Sequence, residues 1–262
     1  MKQALQLLRK MLVSLVSIYL LVGAILYLLQ RDYLYYPTAE IAHPYKTEAV
    51  SSGAENLEII VLNPDQEKAI IYFGGNAETV VVNGPDFASG FEGYSVYLMN
   101  YRGYSKSTGT PSEDALYGDA LALYEAIATK HSSFAVIGRS LGSGVATWLA
   151  AQRPVEKLIL VTPFDSILHI AADRYPVYPV EWMLKDHFDS LSRVAGISAS
   201  TLVIKAEHDR VIPGKYTDIL YQGFAAGQAQ LETLQGVGHN NLSDHPRYLP
   251  LLREFISTAP GK

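Results

Sequence analysis

The pattern of hydrophobic and polar positions divides the chain in two. From Met11 to Leu29 it reads MLVSLVSIYLLVGAILYLL, with no charge and only scattered Ser, Tyr and Gly. As a helix, ~19 residues at ~1.5 Å each span about 28 Å, close to the hydrocarbon thickness of a bilayer. A buried core helix would show a polar face, and this run shows none. A cleaved leader would end in small residues, whereas this run exits through Leu28-Leu29-Gln30-Arg31-Asp32-Tyr33. The pattern therefore predicts a retained anchor over residues 1–31, with its span at 11–29. Lys2, Arg9, Lys10 and the α-amino group precede the span, while Arg31 follows it beside Asp32. That asymmetry predicts a cytoplasmic N-terminus and a main domain on the non-cytoplasmic side, the periplasm in a bacterium. Tyr27, Tyr33, Tyr35 and Tyr36 suit an aromatic belt at the interface, or packing on the domain beyond it.

After a Tyr- and Pro-containing connector (32–55, with the start of the domain), the pattern changes to short apolar runs alternating with helical periodicity. Strands are predicted at Asn56–Asn63, Lys68–Gly75, Tyr94–Arg102, Phe134–Gly138 and Glu156–Pro163, and within ASTLVIKAEHD and AQLETLQGVGH. Helices are predicted in AETVVVNGPDFA, from an N-cap at Ser112 to Lys130, directly after Ser140, and from about His245 to Ser257. Near-continuous apolar strands alternating with helices imply an α/β fold. Its mostly parallel central sheet carries helices on both faces. The domain is assigned to 56–258, with an insert at 164–200.

Composition narrows the function. Apolar residues make up 48% of the chain, enough for a substantial core. The net charge of -5 offers no basic face for nucleic acid. With no cysteine, disulfides, thiol catalysis and Cys-ligated metal are excluded. The histidines form no H-x₃-H or H-E-x-x-H pair, so no metal site is expected.

The most informative motif is Gly138-Arg139-Ser140-Leu141-Gly142, between a predicted strand and a predicted helix. G-x-S-x-G in that context is a nucleophile elbow, a turn so sharp that the serine projects above the carboxyl edge of the sheet. A hydroxyl needs a base to take its proton, and the base needs an orienting acid. Asp209 ends one later strand and His239 ends the next, giving the order Ser…Asp…His. Asp165, after the intervening strand, is a rival acid. His208 is read as scaffold or rim, because neighbours at a strand end point apart. The backbone N–H of Leu141 and of Asn76, after Gly74-Gly75, are candidate oxyanion donors. Arg102 is read as a loop-holding residue rather than a substrate ligand.

FGGNAE, NYRGYSKSTGTPSE, GRSLGSGVA, TPFDSI, AEHDRVIP and GVGHNN, in that order, resemble the membrane-anchored α/β-hydrolases of the Bem46/ABHD13/ABHD17 type. The resemblance covers about 56–258. It implies an α/β-hydrolase fold and serine hydrolysis without a cofactor, with Ser140, Asp209 and His239 as triad. That family usually has His-Gly-Asn at the oxyanion loop, where this chain has Gly74-Gly75-Asn76. Some relatives remove fatty acyl groups from proteins.

Together these features predict a membrane-anchored hydrolase of a small-molecule or acylated ester or thioester. A peptidase or amidase on the same scaffold is the alternative, and a non-catalytic anchored binding protein is a further one. The insert occupies the usual place of a cap. Its stretch RYPVYPVEWMLKDHF is far more apolar than a solvated loop, and Tyr178, Trp182 and Met183 are the expected pocket residues.

Overall fold

A computed structural model describes residues 1–258 of the chain. Its first element is a single helix, α1, over Lys2–Leu34, with Gly23 its one buried residue. The helix is long and apolar enough to cross a membrane, with a mean hydropathy of 2.5 in its most apolar window. It runs past the predicted span into the predicted connector. Tyr35, directly after it, is buried and meets the Phe188 ring edge-on at 6.5 Å.

The sheet has eight strands: β1 Lys46–Ser52, β2 Glu55–Leu62, β3 Lys68–Phe73, β4 Tyr94–Met99, β5 Ser133–Arg139, β6 Lys157–Val161, β7 Ser200–Ala206 and β8 Ala229–Leu234. Their spatial order is β1-β2-β4-β3-β5-β6-β7-β8. The β1–β2 and β2–β4 pairs are antiparallel, and the others are parallel. The connector thus contains an edge strand that the pattern did not reveal. Only Val50 of β1 is buried, and its charged Lys46 and Glu48 are what an exposed edge requires.

The inner strands are apolar throughout because helices cover both faces. In β3, Ala69, Ile71 and Phe73 face one core and Ile70 and Tyr72 the other. The first core is covered by α3 (Glu113–Ile127), α4 (Leu141–Gln152) and α7 (Gly214–Gly223). The second is covered by α2 (Gly84–Gly90) and α8 (Tyr248–Ser257). Ser112 caps α3, its Oγ accepting from the Ala115 N–H at 3.3 Å. The stretch predicted as one helix before β4 divides into a 3₁₀ turn at Val80–Asn83 and α2. Pro85 explains the division, since proline sits best in a helix's first turn.

The insert forms α5 (Ile167–Arg174), the single-turn α6 (Val180–Met183) and a 3₁₀ segment (Leu191–Gly196). The first two lean over the carboxyl edge of the sheet. Arg102 forms a two-pronged ion pair with the fully buried Asp119 of α3, through its Nε at 2.7 Å and through its Nη2. It holds the loop after β4 through that carboxylate.

Candidate active site

The sheet brings Ser140, His239 and Asp209 into one line. Ser140 follows the central strand β5 and opens α4. Its backbone is in the left-handed half of conformational space, at φ 49° and ψ -117°. A non-glycine residue adopts this geometry only where the surroundings enforce it. Here they do: an added Cβ on Gly138 would stand 2.5 Å from the Ala146 Cβ, and one on Gly142 would stand 2.5 Å from the Gly74 carbonyl oxygen. Strand and helix meet too closely for side chains at either position.

The Ser140 Oγ lies 3.0 Å from His239 Nε2, and His239 Nδ1 lies 2.7 Å from Asp209 Oδ2. The other Asp209 oxygen accepts from the N–H groups of Val211 at 2.9 Å and Ile212 at 2.7 Å. The carboxylate is thus fixed from two sides. An acceptor at Nδ1 fixes the proton there and leaves Nε2 free to accept from the serine. Ser140 and His239 are each only 9% exposed, which keeps bulk water from weakening these interactions.

Asp165 is not part of this line. It binds His169 Nδ1 at 2.6 Å, one turn along in the cap. His208 points outward, with its side chain 66% exposed.

The loop after β3 borders the serine. A Cβ on Gly75 would stand 3.5 Å from that of Ser140, and Asn76 and Leu141 line the same cavity as the serine. As the first residue of α4, Leu141 has an N–H without an intrahelical acceptor. The Asn76 N–H takes no acceptor from the described residues. At Gly74, an added Cβ would come 2.6 Å from Val80 Cγ1, so this loop conformation leaves no room for a side chain there.

Two positioning groups escaped the sequence reading. Arg139 reaches Glu78 at 3.6 Å and donates to the His239 carbonyl at 3.2 Å. Glu78 in turn accepts from the Gly75 N–H at 2.6 Å and from the Tyr72 hydroxyl at 2.6 Å. One half-buried pair therefore ties the loop after β3 to the histidine loop. The second group is the Asn76 side chain. Its Nδ2 donates to the Leu34 carbonyl at 2.7 Å, and its Oδ1 accepts from the Tyr36 N–H at 2.9 Å and the Tyr104 hydroxyl at 2.8 Å. Burial pushes the Tyr104 phenol up to about 12, which keeps it a donor. No sequence signal pointed to either group, because both depend on which loops meet.

Above the serine lies a cavity of about 390 Å³ with mainly apolar walls. Tyr178 and Met183 line it, as the sequence suggested, together with Val180 and Leu184. Trp182 does not, which corrects the expectation: it is 84% exposed. Val180 and Met183 share one face of α6 at i and i+3, Leu184 follows directly after the helix, and Trp182 falls on the other face.

This sheet order, the elbow on its central strand and the Ser-His-Asp line define an α/β-hydrolase-fold protein. Residues 68–193 match the family described as "alpha/beta hydrolase fold". An uncharacterised protein of Mycobacterium tuberculosis is 37% identical over 63% of this chain and 60% of its own length. Alpha/beta hydrolase domain-containing protein 17C of Mus musculus is 29% identical over 62% of this chain and 51% of its own. The chain thus spans between half and two thirds of these relatives' lengths. Among solved structures, the Pyrococcus furiosus esterase Pf2001 superposes with a TM-score of 0.70 at 15% identity, covering 87% of this chain and 97% of that one.

Proposed function

We propose that the protein is a membrane-anchored serine hydrolase of carboxylic esters or thioesters, of the Bem46/ABHD13/ABHD17 type. The observation that carries this reading is the continuous hydrogen-bonded line from Ser140 through His239 to Asp209. In the reaction, the Ser140 Oγ attacks the acyl carbon while His239 Nε2 takes its proton. The negative charge on the tetrahedral intermediate faces the N–H groups of Asn76 and Leu141. Collapse expels the alcohol or thiol, which leaves with the proton from His239. Water, deprotonated by the same imidazole, then releases the carboxylic acid and restores Ser140. Asp209 stabilises the imidazolium throughout. These steps need no cofactor.

The anchor is α1, with Lys2, Arg9 and Lys10 on the cytoplasmic side and the hydrolase domain on the other. The apolar cavity supports an acyl substrate, and the esterase among the structural relatives agrees with ester chemistry.

Labelling with a fluorophosphonate probe tests the nucleophile. The wild-type chain should label and Ser140→Ala should not; equal labelling of the two rejects the mechanism.

Chain length tests the acyl pocket. Each additional buried CH₂ contributes up to ~0.8 kcal/mol. For p-nitrophenyl esters, kcat/KM should rise from acetyl to at least hexanoyl, and Met183→Ala should flatten the rise. A falling profile in the intact protein would point to a short acyl group.

A further inference from the structure

The helix that precedes the domain also walls its cavity. Leu26, Tyr27 and Tyr33 of α1 line one side, facing Tyr178 and Met183 of the cap, with Ser140 at the floor. The two sides are locked together. The Tyr19 and Tyr178 rings stack at 4.7 Å, and the Tyr19 hydroxyl donates to the Val177 carbonyl at 2.9 Å. The Tyr178 hydroxyl donates back to the Tyr19 carbonyl at 3.1 Å. Gly23 gives the Tyr178 ring its place, since a Cβ there would stand 2.9 Å from Tyr178 Cε1. Further along, Gln30 bonds the Met183 carbonyl and the Lys185 N–H, at 3.0 and 2.7 Å. Arg31 forms a bidentate pair with the buried Asp186, at 2.8 and 3.0 Å. A tether that served only to hold the domain near a membrane would need none of these bonds.

These contacts run along α1 from Tyr19 to Arg31 and so take up the part of the uncharged run Met11–Leu29 that follows Ile18. If the cap stood clear of lipid, only Met11–Ile18 would be left to cross, a length of about 12 Å at 1.5 Å per residue. A hydrocarbon core is about 30 Å thick. With α1 spanning the bilayer as proposed above, the cap tip must therefore enter the leaflet beside the helix. Its outward side chains suit that place: Val177 is 70% exposed and Trp182 is 84% exposed. Arg174 and Lys185 border the tip, and their long charged side chains reach back from such a depth to water.

We infer that α1 and the cap tip together form an acyl-chain channel that opens into the bilayer. The occupant is the hydrocarbon chain of a membrane-resident ester or thioester, which reaches Ser140 along the helix without crossing water. Substrate selection then lies partly in the anchor itself. This inference rests on the hydrolase reading above.

Two measurements on the full chain in phosphatidylcholine vesicles test it. The chain has two tryptophans, so Trp148→Phe leaves Trp182 alone. With bromine on the lipid acyl chains, Trp182 emission should fall by about half or more. Unchanged emission from vesicle-bound protein, whether Trp182 faces water or a second copy, overturns the insertion. In the second, Leu26→Trp fills the channel from the α1 side. The ratio of kcat/KM for the p-nitrophenyl octanoate ester to that for the acetate ester should fall about tenfold or more. An unchanged ratio overturns the channel. Fluorophosphonate labelling reports whether the variant keeps a folded site, and Leu26→Phe replaces it if labelling is lost. Failure of the wild-type chain to label would instead reject the hydrolase reading, while the quenching result would still stand on its own.

Discussion

Turnover of a simple ester by Ser140→Ala is expected to fall by about 10⁵- to 10⁶-fold, the loss seen when a triad nucleophile is removed. His239→Ala should fall nearly as far, and the double variant hardly further. The reason is that the two side chains act as one unit. A serine hydroxyl stays protonated near neutrality, and in the proposed mechanism the imidazole 3.0 Å away receives its proton. Without either, only binding and the backbone donors remain. Folding should survive Ser140→Ala, because the strained turn is imposed by the packing of β5 on α4 rather than by the hydroxyl. Steady-state kinetics, with circular dichroism to confirm the fold, give the answer. A Ser140→Ala protein that retains full hydrolysis would remove the serine from the chemistry.

Asp209→Asn should cost on the order of 10⁴-fold, the loss expected when the orienting acid becomes an amide and fixes the wrong imidazole tautomer. The 2.7 Å contact to Nδ1 makes the substitution specific. An asparagine that keeps its bonds from the Val211 and Ile212 N–H groups can present an NH₂ to Nδ1, which moves the ring proton to Nε2. The base is then blocked where the serine needs it. Asp165→Asn should change turnover by no more than about threefold, because that carboxylate serves His169 in the cap. The two variants measured side by side decide between the acids, and a reversal of their order would reassign the role to Asp165.

Much of this was legible along the chain because it is local. The apolar run of α1, the continuous apolar runs of the inner strands, the Ser112 cap and the glycine-serine-glycine turn are each set by neighbours a few residues apart. The elbow could be read because only glycine fits on either side of Ser140. Asp209 and His239 could be placed beside Ser140 because the parallel strand order carries chain order into spatial order. β1 remained hidden because an edge strand buries little and so carries little hydrophobic signal.

What the tertiary structure alone decided concerns groups far apart in sequence. It separated Asp209 from Asp165, which look alike as carboxylates at strand ends and differ only in which histidine they meet. It turned Trp182 away from the cavity, since a one-turn helix half-buries one face and an apolar residue on the other face carries no mark of it. It joined Arg139, Glu78 and the His239 carbonyl through loops that meet only once the sheet has formed. It also set Tyr19, Gly23 and Leu26 against a cap more than a hundred residues away. Hydrophobic pattern fixes which residues leave water, but it does not specify which other residues they then touch. The sequence by itself therefore determined a hydrophobic helix, a sheet and a serine elbow, and only folding made the helix a wall of the cavity above that serine.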